Sequence, residues 1–373
     1  MRNHLVVVFA AAAVAAMSLV APAVDSSATT TSKLSATTTT KPMVYWLEQG
    51  AGNPYWTEQH DAAAIAGQRL GFRFKAFGVA NETASEQASM LEQEANQRPA
   101  LIMVNAIDPT TLLPAIKYSE SKGVPVLSLY SNIPQATASI LFNEQRTGQL
   151  AAEEAAGFLK QRYGKLTGTI AVLGGAEGQP TSDNRVQGFT AYVKAHMPGV
   201  KVVAVQYTDW QASSASAAMQ DWLTKYPNLS MVYGSSDTLT VPATDVAQRE
   251  NRLCLNKPGK NWTSNSSCII FVSVDGFFLN DDVNGTLFSD EMYSPQWSGY
   301  VMAEDAAKII KHKTHPKTQL LDSMLVTSVN ASCALRMQND MASHMSTFDF
   351  TAGPTLSAVA RHFGCRLVSP PRS

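Results

Sequence analysis

The chain has 373 residues, 45% of them hydrophobic and 16% charged, with 29 basic residues against 30 acidic ones. That length predicts two domains large enough to bury cores, and a net charge of −1 excludes the basic face that a nucleic-acid binder needs. An aromatic content of 8% on top of this apolar fraction also excludes a disordered chain.

Arg2 and His4 open the chain, Leu5 to Val20 follow as an almost unbroken apolar run, and Ala21-Pro22-Ala23 closes it with a small-x-small pattern. The run is too short for a spanning helix, so residues 1–23 are expected to be a cleaved secretory signal peptide. Its removal takes away one cation, Arg2, and leaves a net charge of −2. Residues 24–41 are nearly pure Ser, Thr, Ala and Lys, which cannot bury enough apolar surface to order themselves, and are expected to be a flexible leader.

Beyond that leader the pattern alternates. Val44 to Leu47 is a short apolar run, and Trp56 to Leu70 has helical spacing. Phe72 to Phe77 reads as a strand, and Thr83 with Glu86 forms a capping box for a helix to about Asn96. Ala100 to Val104 is a strand, Pro109 to Lys122 a helix opened by proline, and Val124 to Leu129 a strand. The pattern then restarts with helices over Glu144–Tyr163, Thr181–His196, Ala212–Tyr226 and Leu239–Asn251. Strands over Gly168–Leu173, Val200–Gln206, Leu229–Tyr233 and Ile269–Val274 are interleaved with them. Strands and helices joined by short connections predict an α/β fold, two doubly wound parallel-sheet lobes in tandem. The last 45 residues are less legible, with one helix expected over Pro354–His362.

Cys254, Cys268, Cys333 and Cys365 all fall in the second half. An even count in an exported chain suggests disulfides, and of the three possible pairings Cys254–Cys268 and Cys333–Cys365 are favoured because each closes a local polar insertion. With no CxxC and no histidines at ligand spacing, neither a metal nor any other cofactor is expected. Asn-x-Ser/Thr triplets occur at Asn81, Asn228, Asn261, Asn265, Asn284 and Asn330, and a Ser/Thr-rich chain produces several by chance outside a eukaryotic host.

In a doubly wound lobe, ligands bind beyond the carboxyl ends of the strands. The segments placed there are Gln49–Trp56, Asn105–Asp108, Tyr130–Asn132, Gly174–Arg185, Thr208–Trp210, Ser235–Asp237 and Asp275-Gly276. This mixture of aromatics, hydroxyls and carboxylates suits a small polar ligand with apolar faces, such as a sugar. Each residue also has a plainer duty open to it. Asn53-Pro54 suits a turn, Trp56 and Trp210 suit a core, Asp237 suits a helix cap, and Arg185 suits an ion pair with Asp183 or Asp209. No GxSxG elbow or Cys–His pair occurs, and a glycosidase-like pair of Asp237 with Asp275 is the weaker alternative, so no catalytic residues are expected.

Asn53-Pro54-Tyr55-Trp56, Tyr233-Gly234-Ser235-Ser236-Asp237 and Val274-Asp275-Gly276 stand in an order and spacing that resembles the type I periplasmic binding proteins, in their ribose-binding branch. The likeness runs from about Met43 to Val329. It implies two Rossmann-like lobes joined by a three-segment hinge, with residues 42–142 plus 294–327 in one lobe and 143–293 plus 328–373 in the other. It further implies that Asn53 donates to a ligand hydroxyl, that Tyr55 and Trp56 stack on one ligand face, and that Trp210 closes the other. Ser236, Asp237 and Asp275 are implied to bind hydroxyls, with Arg185 and Tyr293 beside them. Tyr130-Ser131 stands where sugar binders of this branch carry Asp-Arg, which places Tyr130 in the site and removes a charged fork. Ser182–Arg185 and Tyr207–Asp237 are also similar to furanose quorum-signal receptors and to the sensing partners of two-component kinases. The resemblance implies a monomeric, periplasmic, non-catalytic receptor for a monosaccharide or related polyol. Its partner would be an ABC transporter permease or, alternatively, a membrane sensor kinase or chemoreceptor.

Overall fold

The structure is a computed structural model and describes residues 41–50, 53–80, 83–257, 259–351 and 355–369. The expected signal peptide, all of the expected leader except Lys41, and Asn81 lie outside the described residues. Among the described residues no helix is long and apolar enough to cross a membrane.

The first helices begin where the sequence supplies a cap. Asn53 accepts a hydrogen bond from the Tyr55 amide, Pro54 fills the first turn of α1 (Pro54–Leu70), and Gly71 closes it at φ 98°. Thr83 caps α2 (Ala84–Asn96) by accepting from the Glu86 amide, and Asp108 with Pro109 opens α3 (Pro109–Ser121). Between them run β1 (Met43–Glu48), β2 (Arg73–Gly78), β3 (Leu101–Asn105) and β4 (Val126–Leu129). Every residue of β3 is buried, as a strand covered by helices on both faces requires.

Next come β5 (Ala138–Phe142), α4 (Glu144–Tyr163), β6 (Gly168–Gly174), α5 (Pro180–His196), β7 (Val200–Tyr207), α6 (Ala212–Lys225) and β8 (Met231–Gly234). They are followed by α7 (Asp237–Arg249), β9 (Ile270–Asp275), α8 (Leu279–Asn284), β10 (Ser289–Met292) and α9 (Pro295–Ile310). The chain ends with β11 (Thr318–Leu321), β12 (Met324–Thr327), α10 (Ala331–Ser343) and α11 (Leu356–His362). The first sheet has the order β11-β5-β4-β3-β1-β2 and is parallel throughout. The second has the order β12-β10-β9-β8-β6-β7, parallel except that β12 runs antiparallel to β10. Two doubly wound α/β lobes are thus present, as the alternation predicts.

The chain passes between the sheets three times: after Phe142, after Met292, and between Leu321 and Met324. The third passage therefore precedes residue 327, where the lobe boundary was expected, because β12 pairs with β10. One core cluster runs through both lobes from Val44 to Cys365, with a separate cluster on the outer side of each sheet.

Cys254 pairs with Cys268 and Cys333 with Cys365, as expected. The second bridge closes the carboxyl-terminal extension that contains α10 and α11. This extension touches several earlier elements. Arg69 at the end of α1 donates to the Met345 carbonyl (3.3 Å), Phe350 stacks on Tyr300 of α9 (4.6 Å), and the Leu356 amide donates to Asp322 in the third passage (3.0 Å).

Helices α4 and α5 approach closely enough that Gly148 faces the Arg185 carbonyl and Gly188 faces the Gln145 carbonyl, with no room for a Cβ. A Gly148→Val chain should lose about 1–3 kcal/mol of stability through overpacking, read as a lower urea midpoint with an unchanged m-value.

Candidate functional site

The carboxyl ends of the two sheets face each other, because Tyr55, which follows β1, meets Phe277, which follows β9, ring to ring at 6.2 Å. This is the position at which open α/β sheets hold ligands. Its floor on the second lobe is built around Arg185. The first turns of α5 bring this side chain inward, where Nε donates to Glu144 Oε2 (2.5 Å) and Nη1 donates to Asp275 Oδ1 (2.7 Å) and to the Ser235 carbonyl (2.8 Å). Its guanidinium also lies 5.4 Å from the Tyr293 ring. Burial alone would disfavour the charge, but Asp275 and Glu144 hold Arg185 protonated well above its ordinary value. Burial pushes the Glu144 carboxyl up while the guanidinium pulls it back. Of the three side chains Asp275 is the most open, at 13% exposure against 5% for Arg185 and 3% for Glu144. Its backbone is held at φ 115°, a strained conformation of the kind that gathers at binding sites.

The first lobe contributes an aromatic wall. Tyr55 packs edge-on to Trp56 (5.3 Å), Trp56 to Tyr130 (5.1 Å), Tyr130 stacks on Phe142 (5.3 Å), and Phe142 lies 3.9 Å from Tyr293. Tyr130 sits at φ 65° and donates to Gln59 Oε1 (2.8 Å), while the Gln59 amide nitrogen donates to Ser298 Oγ (2.6 Å). The Tyr293 hydroxyl is hydrogen-bonded to Thr147. Burial, and then neighbouring Asp275, raise the Tyr55 phenol above its ordinary range, so it is a neutral donor at any working pH. Asn53 and Trp56, at the head of α1, keep partial exposure.

The structure therefore gathers Asn53, Tyr55, Trp56, Tyr130, Arg185, Asp275 and Tyr293 around one cleft. It places three other candidates differently. Asp237 is fully buried as the first residue of α7, and its oxygens accept from Ser273 Oγ (2.5 Å) and from the Phe277 (2.7 Å) and Phe278 (3.1 Å) amides. These contacts pin the turn after β9. Ser236 caps α7 by accepting from the Thr238 amide, the role expected of Asp237. Trp210 donates its indole N–H to Gln179 Oε1 (2.5 Å) and lies flat on Gly175. It follows edge strand β7 and covers the turn after β6, two strands from β9. Arg185 pairs with Glu144 and Asp275 rather than with Asp183 or Asp209.

The sequence reading missed Glu144, Gln59, Phe142, Phe277 and Ser298. Phe277, directly after Asp275-Gly276 at a strand end, carried a local signal, whereas the other four arrive through the passages or from buried helix faces.

Beneath the floor, Asp290 accepts from the Gly276 amide with both oxygens (3.0 Å each), beside Asp237 and Asp282. Burial, with Asp275 beside it, raises Asp237 to about 6, and burial raises nearby Glu291 to about 8. Among the described residues no group of three His, Cys, Asp or Glu is placed to hold a metal ion.

Two outcomes follow from these charges. Arg185→Met strands two buried carboxylates and should cost about 3–5 kcal/mol, measured by chemical denaturation. The raised carboxyls bind protons in the folded chain that the unfolded chain releases near pH ~4. Their contribution is therefore complete below that pH and is lost as pH rises through about 6 and about 8. Thermal melts should show greater stability near pH 5 than near pH 8, and Glu291→Gln should make the decline shallower.

Comparison with known proteins agrees with this architecture. A model of the periplasmic binding protein domain matches residues 44–314. A xylitol-binding protein of Mycolicibacterium smegmatis is 27% identical over 174 residues, 46% of this chain, and the alignment spans about half (49%) of that protein. A D-allose-binding periplasmic protein of Escherichia coli K12 is 23% identical over 74% of this chain and 88% of its own length. The crystal structure of an ABC transporter periplasmic solute-binding protein from Actinobacillus succinogenes with bound D-allose superposes with a TM-score of 0.69 at 17% identity, covering 78% of this chain and 99% of that one. With its two lobes and three passages, the chain belongs to the periplasmic binding protein domain family.

Proposed function

We propose that this chain is a periplasmic, monomeric receptor that closes its two lobes on a small polyhydroxylated molecule, a monosaccharide or a polyol, and delivers it to an ABC transporter permease. The observation that carries this reading is the pairing, across one cleft, of an aromatic wall with the partly open Asp275 carboxylate that Arg185 holds in place. A pyranose, a furanose or an extended polyol presents apolar C–H faces to such rings and hydroxyl donors to such a carboxylate. The names of the relatives, a xylitol-binding and a D-allose-binding protein, support the same ligand class. Asn53 and Trp56 would bind from the first lobe and Asp275 from the second, so a bound ligand bridges both and favours the closed state by its differential affinity.

A second reading is a ligand sensor read by a membrane kinase or chemoreceptor. It draws on Tyr130-Ser131 in place of a charged pair, and on α10 and α11, which lie beyond the matched residues 44–314 and would be the part that meets such a partner. Stimulation of a reconstituted permease's ATP hydrolysis by the loaded chain supports transport, and stimulation of kinase autophosphorylation instead supports sensing.

A thermal-shift screen of pentoses, hexoses, polyols and furanoses should find at least one stabilising compound. No shift with any of them removes the carbohydrate assignment. With a hit in hand, Asp275→Asn and Trp56→Ala should each weaken binding tenfold or more, about 1.4 kcal/mol, and Trp210→Ala should have the smaller effect.

A further inference from the structure

Resting on the receptor reading above, we infer that the polyol this cleft takes carries a protonated amine, as an amino sugar or amino polyol does, and that Asp275 receives the ammonium group. Charge is sorted to opposite poles of the sheets, although the chain as a whole is balanced at 29 basic and 30 acidic residues. Among the described residues, no loop that leaves the carboxyl end of a parallel strand holds a Lys, Arg or His. The same loops hold Asp108 after β3, Glu177 after β6 and Asp209 after β7, and Asp275 itself ends β9. The loops at the amino ends of the strands instead carry Arg98, Lys122, Lys165, Arg252, Lys260 and Lys317. A cleft edged by one sign of charge between apolar walls focuses the field and draws in the opposite sign.

The floor of the cleft has the same sign. Arg185 is shared by two carboxylates and engages one oxygen of each, Glu144 Oε2 and Asp275 Oδ1. Around that guanidinium, four buried side-chain atoms have no hydrogen-bond partner among the described residues: Glu144 Oε1, Ser182 Oγ, Tyr233 Oη and Ser235 Oγ. Glu144 and Ser235 accept from Arg185 directly, Ser182 precedes it by one turn of α5, and Tyr233 stands two residues before Ser235. All four atoms can accept a hydrogen bond, and the carboxylate oxygen can do nothing else while it is ionised. An ammonium brings three donors and no acceptor, so it complements such a site. A ligand carboxylate or phosphate brings acceptors instead, and would meet Asp275 with the one nearby cation already engaged.

The aromatic wall suits the same group, because the π faces of Tyr55 and Trp56 attract a cation as well as C–H groups. The charge of Asp275 reaches this wall: after burial, it is the largest influence that raises the Tyr55 phenol. Helix amino termini directed at a cleft favour anions in general. Here they spend amides on their own caps. Asn53 accepts from the Tyr55 amide (3.0 Å), Asp108 from Thr110 (3.1 Å) and Thr111 (3.0 Å), Ser236 from Thr238 (3.3 Å) and Ser294 from Trp297 (3.3 Å). Asp183 in the first turn of α5 likewise accepts from the Gly178 amide (3.3 Å). An anionic sugar therefore finds no Lys or Arg on these loops, and meets helix starts that side-chain oxygens already occupy.

The test is isothermal titration calorimetry of the full chain with ligands matched in skeleton and differing in charge. One set is D-glucosamine, D-glucose and D-glucuronate, a second is D-galactosamine, D-galactose and D-galacturonate, and a third is glucamine, sorbitol and gluconate. In at least one set the amine should bind about tenfold or more tightly than the neutral member, and the acid should not bind. Raising the salt from about 50 mM to about 500 mM should narrow that gap, because exposed charges at the rim are screened. Asp275→Asn should bring amine and neutral member within about threefold of each other. Because that change also touches Arg185, a second variant joins Glu177→Gln to Asp209→Asn on exposed loops, and it should lessen the salt dependence of amine binding. A neutral sugar that binds as tightly as its amine, or an acid that binds more tightly than either, overturns the inference and leaves the receptor reading standing. An amine preference unchanged in both variants does the same. Absence of binding by every member of all three sets overturns the inference and the receptor reading together.

Discussion

The cleft depends on one buried cation. Arg185 reaches from α5 to the carbonyl that ends β8, the carboxylate that ends β9 and the carboxylate that opens α4, so a single guanidinium fixes three strand-end or helix-start positions at once. A planar fork of donors suits this duty better than a lysine ammonium, which would meet the same acceptors as a point charge. Because Glu144 follows the first passage and Tyr293 opens the second, the same cation also holds the roots of two of the three connections between the lobes. Removing it would free the geometry of the floor and of the hinge together.

Above this cation the molecule changes chemistry. The wall from Tyr55 and Trp56 through Tyr130 and Phe142 to Tyr293 is aromatic throughout, and its polar atoms are matched within the protein, Tyr130 to Gln59 and Tyr293 to Thr147. In the proposed receptor, a wall whose hydroxyls are already partnered would select by shape and by C–H contact, and would leave the reading of hydroxyls to the partly open Asp275 and to Asn53 at the rim. That division separates what holds a ligand's faces from what counts its polar groups.

The two-lobe fold was legible because its strands are continuous apolar runs and its helices carry overt caps such as Asn53-Pro54, Thr83 and Asp108-Pro109. The elements that escaped were those whose composition misleads. Strand β10 reads Ser-Asp-Glu-Met, yet every residue of it is buried, because Asp290 serves the Gly276 amide and Glu291 accepts from Ser323. Helix α9 is apolar on nearly every side, since it lies between α1 and the passages, and so lacks the stripe that marks a surface helix. The site was legible at strand ends, where Asp275 and Trp56 are local features. Its remainder was set by contacts between distant positions: Gln59 meets Ser298 across 239 residues and Arg185 meets Asp275 across 90. No window of sequence contains such pairs, and Asp237, fitted for a ligand by its position, was claimed by two backbone amides that only the folded turn presents.

The carboxyl-terminal extension bears on how the hinge can move. Gln338 of α10 donates to the Phe277 carbonyl in the cleft turn (3.4 Å), Met341 packs on Ser294 in the second passage, Ser357 of α11 reaches the Ser323 carbonyl in the third (3.5 Å), and Met345 is held by α1 of the other lobe. Two of the three connecting strips are therefore clad by one disulfide-closed element that also grips both bodies. Any swing of one lobe against the other must therefore shift or break contacts of that element, so the hinge does not move independently of α10 and α11.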